Sequence, residues 1–317
     1  EAFLNGENPY RSTVESYENL EKDPSSKGYA YFPATLYVYT LLYKIVNSFF
    51  SSDAAFFTHS LFLLPGVVAD LLIGIFCLFY FYKKDKLAML YSVMFWTFNY
   101  FFLARDALAR FDSVPILFLL LALDQLGKSD VKSGILFSLS VLFKTFPVIL
   151  FPLFIFKSKK PQNFLIAGFL TALIFSLPFM KSFQDIFAYI RGALLVHGDR
   201  FVQGRPFLYC LSFLFGVEFF RVVPFWFYSV GSIVFGWIFL IANKVFSWVK
   251  DEYVASIFPF LIFYILTPVL NRTYLLWWIP FLLIGTHRFF EKKNLPLFYI
   301  ITGIFWLFLY WYLYQWS

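Results

Sequence analysis

Few residues in this chain could do chemistry, and they fall in a handful of places. Arg105, Asp106, Arg110 and Asp112 crowd one short stretch, and Lys144 stands just ahead of Pro147. Arg191, His197, Asp199, Arg200 and Arg205 form a second charged group, Arg272 precedes Tyr274, and Asp70 interrupts a long apolar run. Carboxylates can take a proton from a hydroxyl, while guanidinium and ammonium groups can hold an anion by charge-assisted hydrogen bonds. The same groups can equally serve as ion pairs that only hold a structure together. Glu1, Glu7, Glu15 and Glu18 add acids near the start, where carboxylates are ordinarily solvated surface charges. His197 has no neighbours at metal-ligand spacing, so no metal site is assigned, and His59 and His287 read as interface residues. Cys77 and Cys210 lie in unrelated segments, which argues against a disulfide framework.

The elements that must position these groups are set by the solvent. Hydrophobic residues make up 60% of the chain and charged ones 14%, with 48 Phe, 21 Tyr and 9 Trp. Soluble domains carry about 25% charged residues, so much of this exterior is expected to face lipid. The net charge of +7 comes with no basic run interleaved with aromatics on a polar segment, which excludes a nucleic-acid partner. The sequence therefore predicts an all-α, polytopic membrane protein of about ten membrane helices. Phe56 to Tyr82, Leu87 to Leu103, Phe164 to Met180, Pro224 to Ala242, Val254 to Leu270 and Leu295 to Tyr314 read as spans. Ser113 to Leu123, Ser133 to Phe143, Phe146 to Phe156 and Tyr274 to Gly285 are shorter, which predicts half-depth helices around a cavity.

Lysine and arginine set the direction. Of the 26 such residues, 13 fall in short loops at 83–86, 128–132, 157–160, 244–250 and 288–293. The whole short connections that carry these stretches total about 39 residues against about 112 in the other connections, a threefold density that assigns them to the cytoplasmic side. The chain then divides into an external segment 1–55, membrane helices 56–180, a second external segment 181–223 and membrane helices 224–317. Thr35 to Phe50 and Phe207 to Phe220 are read as surface helices lying along the interface. Asp70, which lipid cannot solvate, must face protein and have a partner. An external segment that opens at Glu1 in polar sequence predicts a further helix upstream.

Several stretches, in order, resemble the GT-C superfamily of membrane glycosyltransferases. Gly6-Glu7-Asn8-Pro9-Tyr10 is similar to a G-x-x-P-Y segment of the first external loop, and Tyr29-Ala30-Tyr31-Phe32-Pro33 to a Tyr-x-Tyr-x-Pro stretch. Asp70-Leu71-Leu72 resembles the embedded Asp-Leu-Leu of glycosylphosphatidylinositol mannosyltransferase I and its relatives. Phe111-Asp112-Ser113-Val114-Pro115 resembles the G-Q-F-D-x-x-P loop, Lys144-Thr145-Phe146-Pro147 a K-x-x-P turn, and Tyr274-Leu275-Leu276-Trp277 the Q-Y-x-L-W entry to a late span.

The resemblance implies transfer of a hexose, by preference mannose, from a polyprenyl-phosphate carrier to a lipid, glycan or protein acceptor. It implies an external-loop carboxylate as base, set before Glu1, so that no catalytic residue is assigned within the chain. Arg105, Arg110, Lys144, His197, Arg200, Arg205 and Arg272 become candidates for the donor phosphate, with Asp112 and Tyr274 orienting it or the acceptor. The lipid-linked sugar is the co-substrate, membrane lipids are partners, and a divalent metal and a partner membrane subunit stay open. The implied setting is a bacterial or archaeal plasma membrane, or the endoplasmic reticulum, with the site on the non-cytoplasmic face. Two other readings stand beside it: a noncatalytic membrane subunit with the same fold, and a transporter or lipid flippase. A transporter calls for internal repeats and paired charges at mid-depth, and the sequence has no visible repeat and one mid-span acid.

Overall fold

Apolar runs of this length fold as helices because each backbone N–H and C=O can then be bonded within its own segment. The computed structural model describes residues 3, 6–18, 29–49, 55–97, 111–198, 203–204, 206–216, 225–290 and 294–314. Among them lie α1 (Pro9–Glu18), α2 (Pro33–Phe49), α3 (Ala55–Tyr82), α4 (86–97), α5 (Ser113–Gln125), α6 (Asp130–Phe143) and α7 (Phe151–Lys157). They continue with α8 (Pro161–Ser176), α9 (Phe183–Ala193), α10 (Phe207–Phe215), α11 (Phe225–Phe246), α12 (Glu252–Leu266), α13 (Ile279–Phe289) and α14 (Leu295–Tyr314). The chain is all-α apart from a two-residue parallel pairing of Gln203 with Val269 and Gly204 with Leu270. Helix starts carry the expected chemistry: Ser129 caps α6, Ser182 caps α9, and Asp251 accepts from the amides of Tyr253 and Val254 at α12.

Two stretches among the described residues, Leu63–Tyr82 and Pro161–Phe179, have the length and hydropathy to cross a membrane, and the other apolar stretches of residues whose side chains are described, such as Val230–Phe246 and Leu295–Ile304, are shorter. The outer surface is apolar all the same. In α8 only Phe164 and Ser176 are buried, leaving Leu165, Ile166, Phe169, Leu170 and Ile174 exposed, and α3 exposes Leu71, Leu72, Ile75 and Phe79. Helix α12 stops at Leu266, short of the expected Leu270, because Thr267 turns the chain by bonding its hydroxyl to the Val269 carbonyl. Among the described residues, rings pack between the short helices. Phe118 stacks on Phe143, Phe146 on Trp277, and Phe260 packs beside Phe146 and Phe281.

The helices share two ends. At one, Lys157 Nζ donates to the Lys250 carbonyl, the Lys160 amide to Asp130, and Arg288 to Tyr80, Asp251 and Glu252, so the lysine-rich loops meet. At the other, α2 lies across the ends of α6 and α8, where Thr35 and Tyr37 donate to the carbonyls of Phe143 and Phe175. Helices α1 and α9, neither foreseen within their external segments, pack on each other there through a ring cluster of Tyr10, Phe179 and Tyr189.

The tightest helix contact is between α6 and α8, where small residues let backbones approach. A Cβ on Gly134 would lie 2.3 Å from the Phe164 carbonyl oxygen. Gly134→Val should therefore cost about 1–3 kcal/mol by overpacking and lower the melting temperature of the detergent-solubilised protein. Gly303→Ala, where nothing lies within 4 Å, should leave it within error.

Candidate functional site

The most unusual chemistry in the molecule is gathered where α5 begins, α6 ends and the 272–277 turn enters α13. Phe111 adopts a positive φ of 63°, a conformation that costs a bulky residue on the order of 1 kcal/mol. Its ring packs against Tyr39 and Phe143. The next residue, Asp112, occupies the N-cap position of α5 yet makes no capping bond to the helix amides. Its carboxylate turns inward. Oδ1 accepts from Lys144 Nζ at 2.5 Å and from Trp277 Nε1 at 2.7 Å, while Oδ2 is buried and accepts from no described residue.

Lys144 is delivered by the abrupt end of α6, where an extended conformation breaks the helix ahead of a short 3-10 segment begun by Phe146 and Pro147. Its ammonium faces the rings of Tyr274, Trp277 and Tyr31, with centroids 5.1, 5.4 and 6.0 Å away. Burial works against the Lys144 charge, but Asp112, with Tyr31 and Tyr274 behind it, more than offsets that and raises its pKa above the ordinary lysine value. Trp277 is locked in turn, stacked on Phe146 at 3.8 Å and on Tyr274 at 4.1 Å, and the Tyr264 hydroxyl holds the Tyr274 carbonyl.

Asp70 belongs to the same neighbourhood. It is 7% exposed, and its partner is the hydroxyl of Ser113, the residue after Asp112. Trp96 anchors that turn of α3 through the Asp70 carbonyl. One sequence step thus separates the side chain that holds α3 from the one that holds α6 and the 272–277 turn.

The other candidates are placed as follows. Arg105, Asp106, Arg110, Asp199, Arg200 and Arg205 lie outside the described residues. Arg272 opens the 272–277 turn, and His197 sits in the 3-10 segment Leu195–Gly198. Of the early acids, Glu18 pairs with Arg191 across α1 and α9, and Glu7 and Glu15 line a surface cavity of about 630 Å³ beside Arg11 and Lys181. Asp185, on the same cavity, receives bonds from Asn8, Arg11 and Ser182, and these hold its carboxyl below the usual carboxylate range. Trp277, Ser113 and Phe146 carried no assigned role in the sequence. Among the described residues no group of three or more His, Cys, Asp or Glu could hold a metal ion.

Comparisons with protein-family models, with curated proteins and with solved structures find no match. The site is therefore read from its own chemistry: a buried cation beside a carboxylate with one oxygen to which no described residue donates, walled by aromatic faces.

Lys144→Met should leave Asp112 as a buried charge without its counter-ion, a loss of about 3–5 kcal/mol. Thermal unfolding in detergent should show most of this recovered in the double variant Lys144→Met with Asp112→Leu. For the cap, the depressed Asp185 pKa means stabilisation present above the unfolded carboxylate value near 4 and lost as pH falls through the lower folded value. Asp185→Asn should flatten the acid side of the melting curve by up to about 1 kcal/mol, since Arg11 is largely exposed.

Proposed function

We propose that the chain is a polytopic membrane glycosyltransferase of GT-C-like architecture, moving a hexose, by preference mannose, from a polyprenyl phosphate to an acceptor at the non-cytoplasmic face. The observation that carries this reading is the Lys144–Asp112–Trp277 constellation at the end of the bundle remote from the lysine-rich loops. The positive-inside rule assigns those loops to the cytoplasm, and the site then faces outward. Membrane insertion is supported by the apolar faces of α3 and α8, which water would not tolerate at this extent. A lipid carrier then reaches the site without leaving the bilayer.

In this reading Lys144 meets the donor phosphate. It keeps 9% exposure where Asp112 keeps none, so an arriving anion touches the ammonium before the carboxylate. As an acceptor hydroxyl oxygen bonds the sugar anomeric carbon and gives its proton to a general base, the bond from that carbon to the phosphate oxygen breaks, negative charge grows on the departing phosphate, and a buried cation there stabilises it strongly. Asp112 Oδ2, which lacks a donor among the described residues, is free to accept a hydroxyl of the sugar or of the acceptor. The stacked rings of Phe146, Trp277 and Tyr274 fix the pair and exclude water.

The test is transfer by the purified full chain in nanodiscs, supplied with polyprenyl-phosphate-linked mannose and a mixture of lipid and glycan acceptors. Lys144→Gln, provided it remains folded, should lower turnover by about a hundredfold or more. Turnover equal to the unaltered protein would refute the assignment.

A further inference from the structure

A groove of about 420 Å³ runs between α3 and α5 on the lipid-facing surface. Its wall is apolar, built by Leu72, Ile75, Phe76, Phe79, Leu117 and Leu121, and Tyr80 and Asp124 close its cytoplasmic end. From Leu72 to Tyr80 the helix rises about 12 Å, close to the ~15 Å depth of one leaflet's hydrocarbon.

Two cations stand at the closed end. Lys84 Nζ lies 3.5 Å from the centre of the Tyr80 ring, and Lys128 Nζ bonds Asp124 at 2.8 Å. No carboxylate is within ion-pair distance of Lys84 among the described residues: Asp124 is taken by Lys128, Asp85 faces His287, and Asp251 and Glu252 are held by Arg288. The turn carries Lys83, Lys84 and Lys86 against the single acid Asp85. An apolar slot of near-leaflet depth that ends beside one lysine with no carboxylate partner among the described residues and a second paired with Asp124, one net positive charge in all, is complementary to one kind of molecule.

We propose that this groove is a specific site for an anionic glycerophospholipid of the cytoplasmic leaflet, with one acyl chain along α3 and α5 and the phosphate on Lys84 and Lys128. The proposal rests on the membrane reading given above and goes beyond it, since the site lies at the opposite end from Lys144. Partial burial, and then the repulsion of Arg288 and Lys128 against the attraction of Asp124, hold the Lys84 pKa below the usual lysine value. A phosphate between Lys84 and Lys128 relieves that repulsion. A choline headgroup adds a fixed positive charge beside the same lysines and is disfavoured.

The experiment is native mass spectrometry of the full chain, extracted from membranes and titrated with phosphatidylglycerol or phosphatidylcholine of matched chains. Phosphatidylglycerol should bind at about thirtyfold lower concentration, the effect of roughly 1 kcal/mol at each of the two lysines. The double variant Lys84→Gln with Lys128→Gln should bind both lipids alike, and Leu72→Trp, which fills the groove, should weaken both together. Equal binding of the two lipids by the unaltered chain, a preference that survives loss of both lysines, or retention of an unesterified fatty acid instead overturns the proposal. A chain recovered in the soluble fraction without detergent overturns the membrane reading itself, a separate outcome.

Discussion

The buried pair of Asp112 and Lys144 is the interaction on which the end of the bundle remote from the lysine-rich loops depends. Removing both charges from water costs several kcal/mol per ion, and their attraction offsets this only when geometry and extra hydrogen bonds are good. Here the extra bond comes from Trp277 Nε1, so one carboxylate oxygen ties together the start of α5, the end of α6 and the 272–277 turn. Ser113, next in sequence, adds α3 through Asp70. Four elements distant in sequence converge within two residues. Such a junction specifies an arrangement more than it stabilises one, because apolar side chains of the same volume would pack there at no desolvation cost.

This junction also explains why the two ends of the bundle differ. At the lysine-rich end the charges are partly exposed and meet as caps and loop contacts, with Arg288 bridging Asp251 and Glu252. Such contacts each contribute little and adjust readily to solvent. At the other end the Asp112–Lys144 pair is enclosed by rings, and the covering helices α1, α2 and α9 attach through hydroxyl-to-carbonyl bonds, aromatic edges and the more exposed ion pairs Arg11–Asp185 and Arg191–Glu18.

Much of the helix plan was legible, because hydropathy records which segments avoid water. The extents of α11 and α14 and the starts of α5 and α6 lie within a few residues of the apolar runs. The break after Phe143 was visible as Lys144 ahead of Pro147, and the inward orientation of Asp70 followed from the cost of leaving it in lipid. What could not be read was pairing. Asp112 stood in sequence beside arginines, yet its described partners are Lys144 and Trp277, 32 and 165 positions away. Indole donors give no charge signal, and composition alone cannot tell an aromatic that fills space from one that holds a carboxylate. Helices α1 and α9 were missed for a related reason: their apolar faces are interrupted by the polar residues that join them, such as Asn8, Arg11 and Asp185.

Local rules are broken together at a single place. Asp112 stands where an aspartate ordinarily caps a helix and does not cap it. Phe111 takes a backbone conformation usual for glycine, and a carboxylate oxygen is buried with nothing among the described residues donating to it. Each departure lowers stability by a kcal/mol or more when taken alone. A sequence under selection for folding alone would resolve them with a capping serine, a glycine and a leucine. Their coincidence around one buried lysine is the pattern expected where strain and incomplete bonding are kept for a ligand that completes them. In the proposed reading, the Asp112 oxygen that no described residue donates to calls for a hydroxyl or amide donor, and Lys144 calls for an anion beside it.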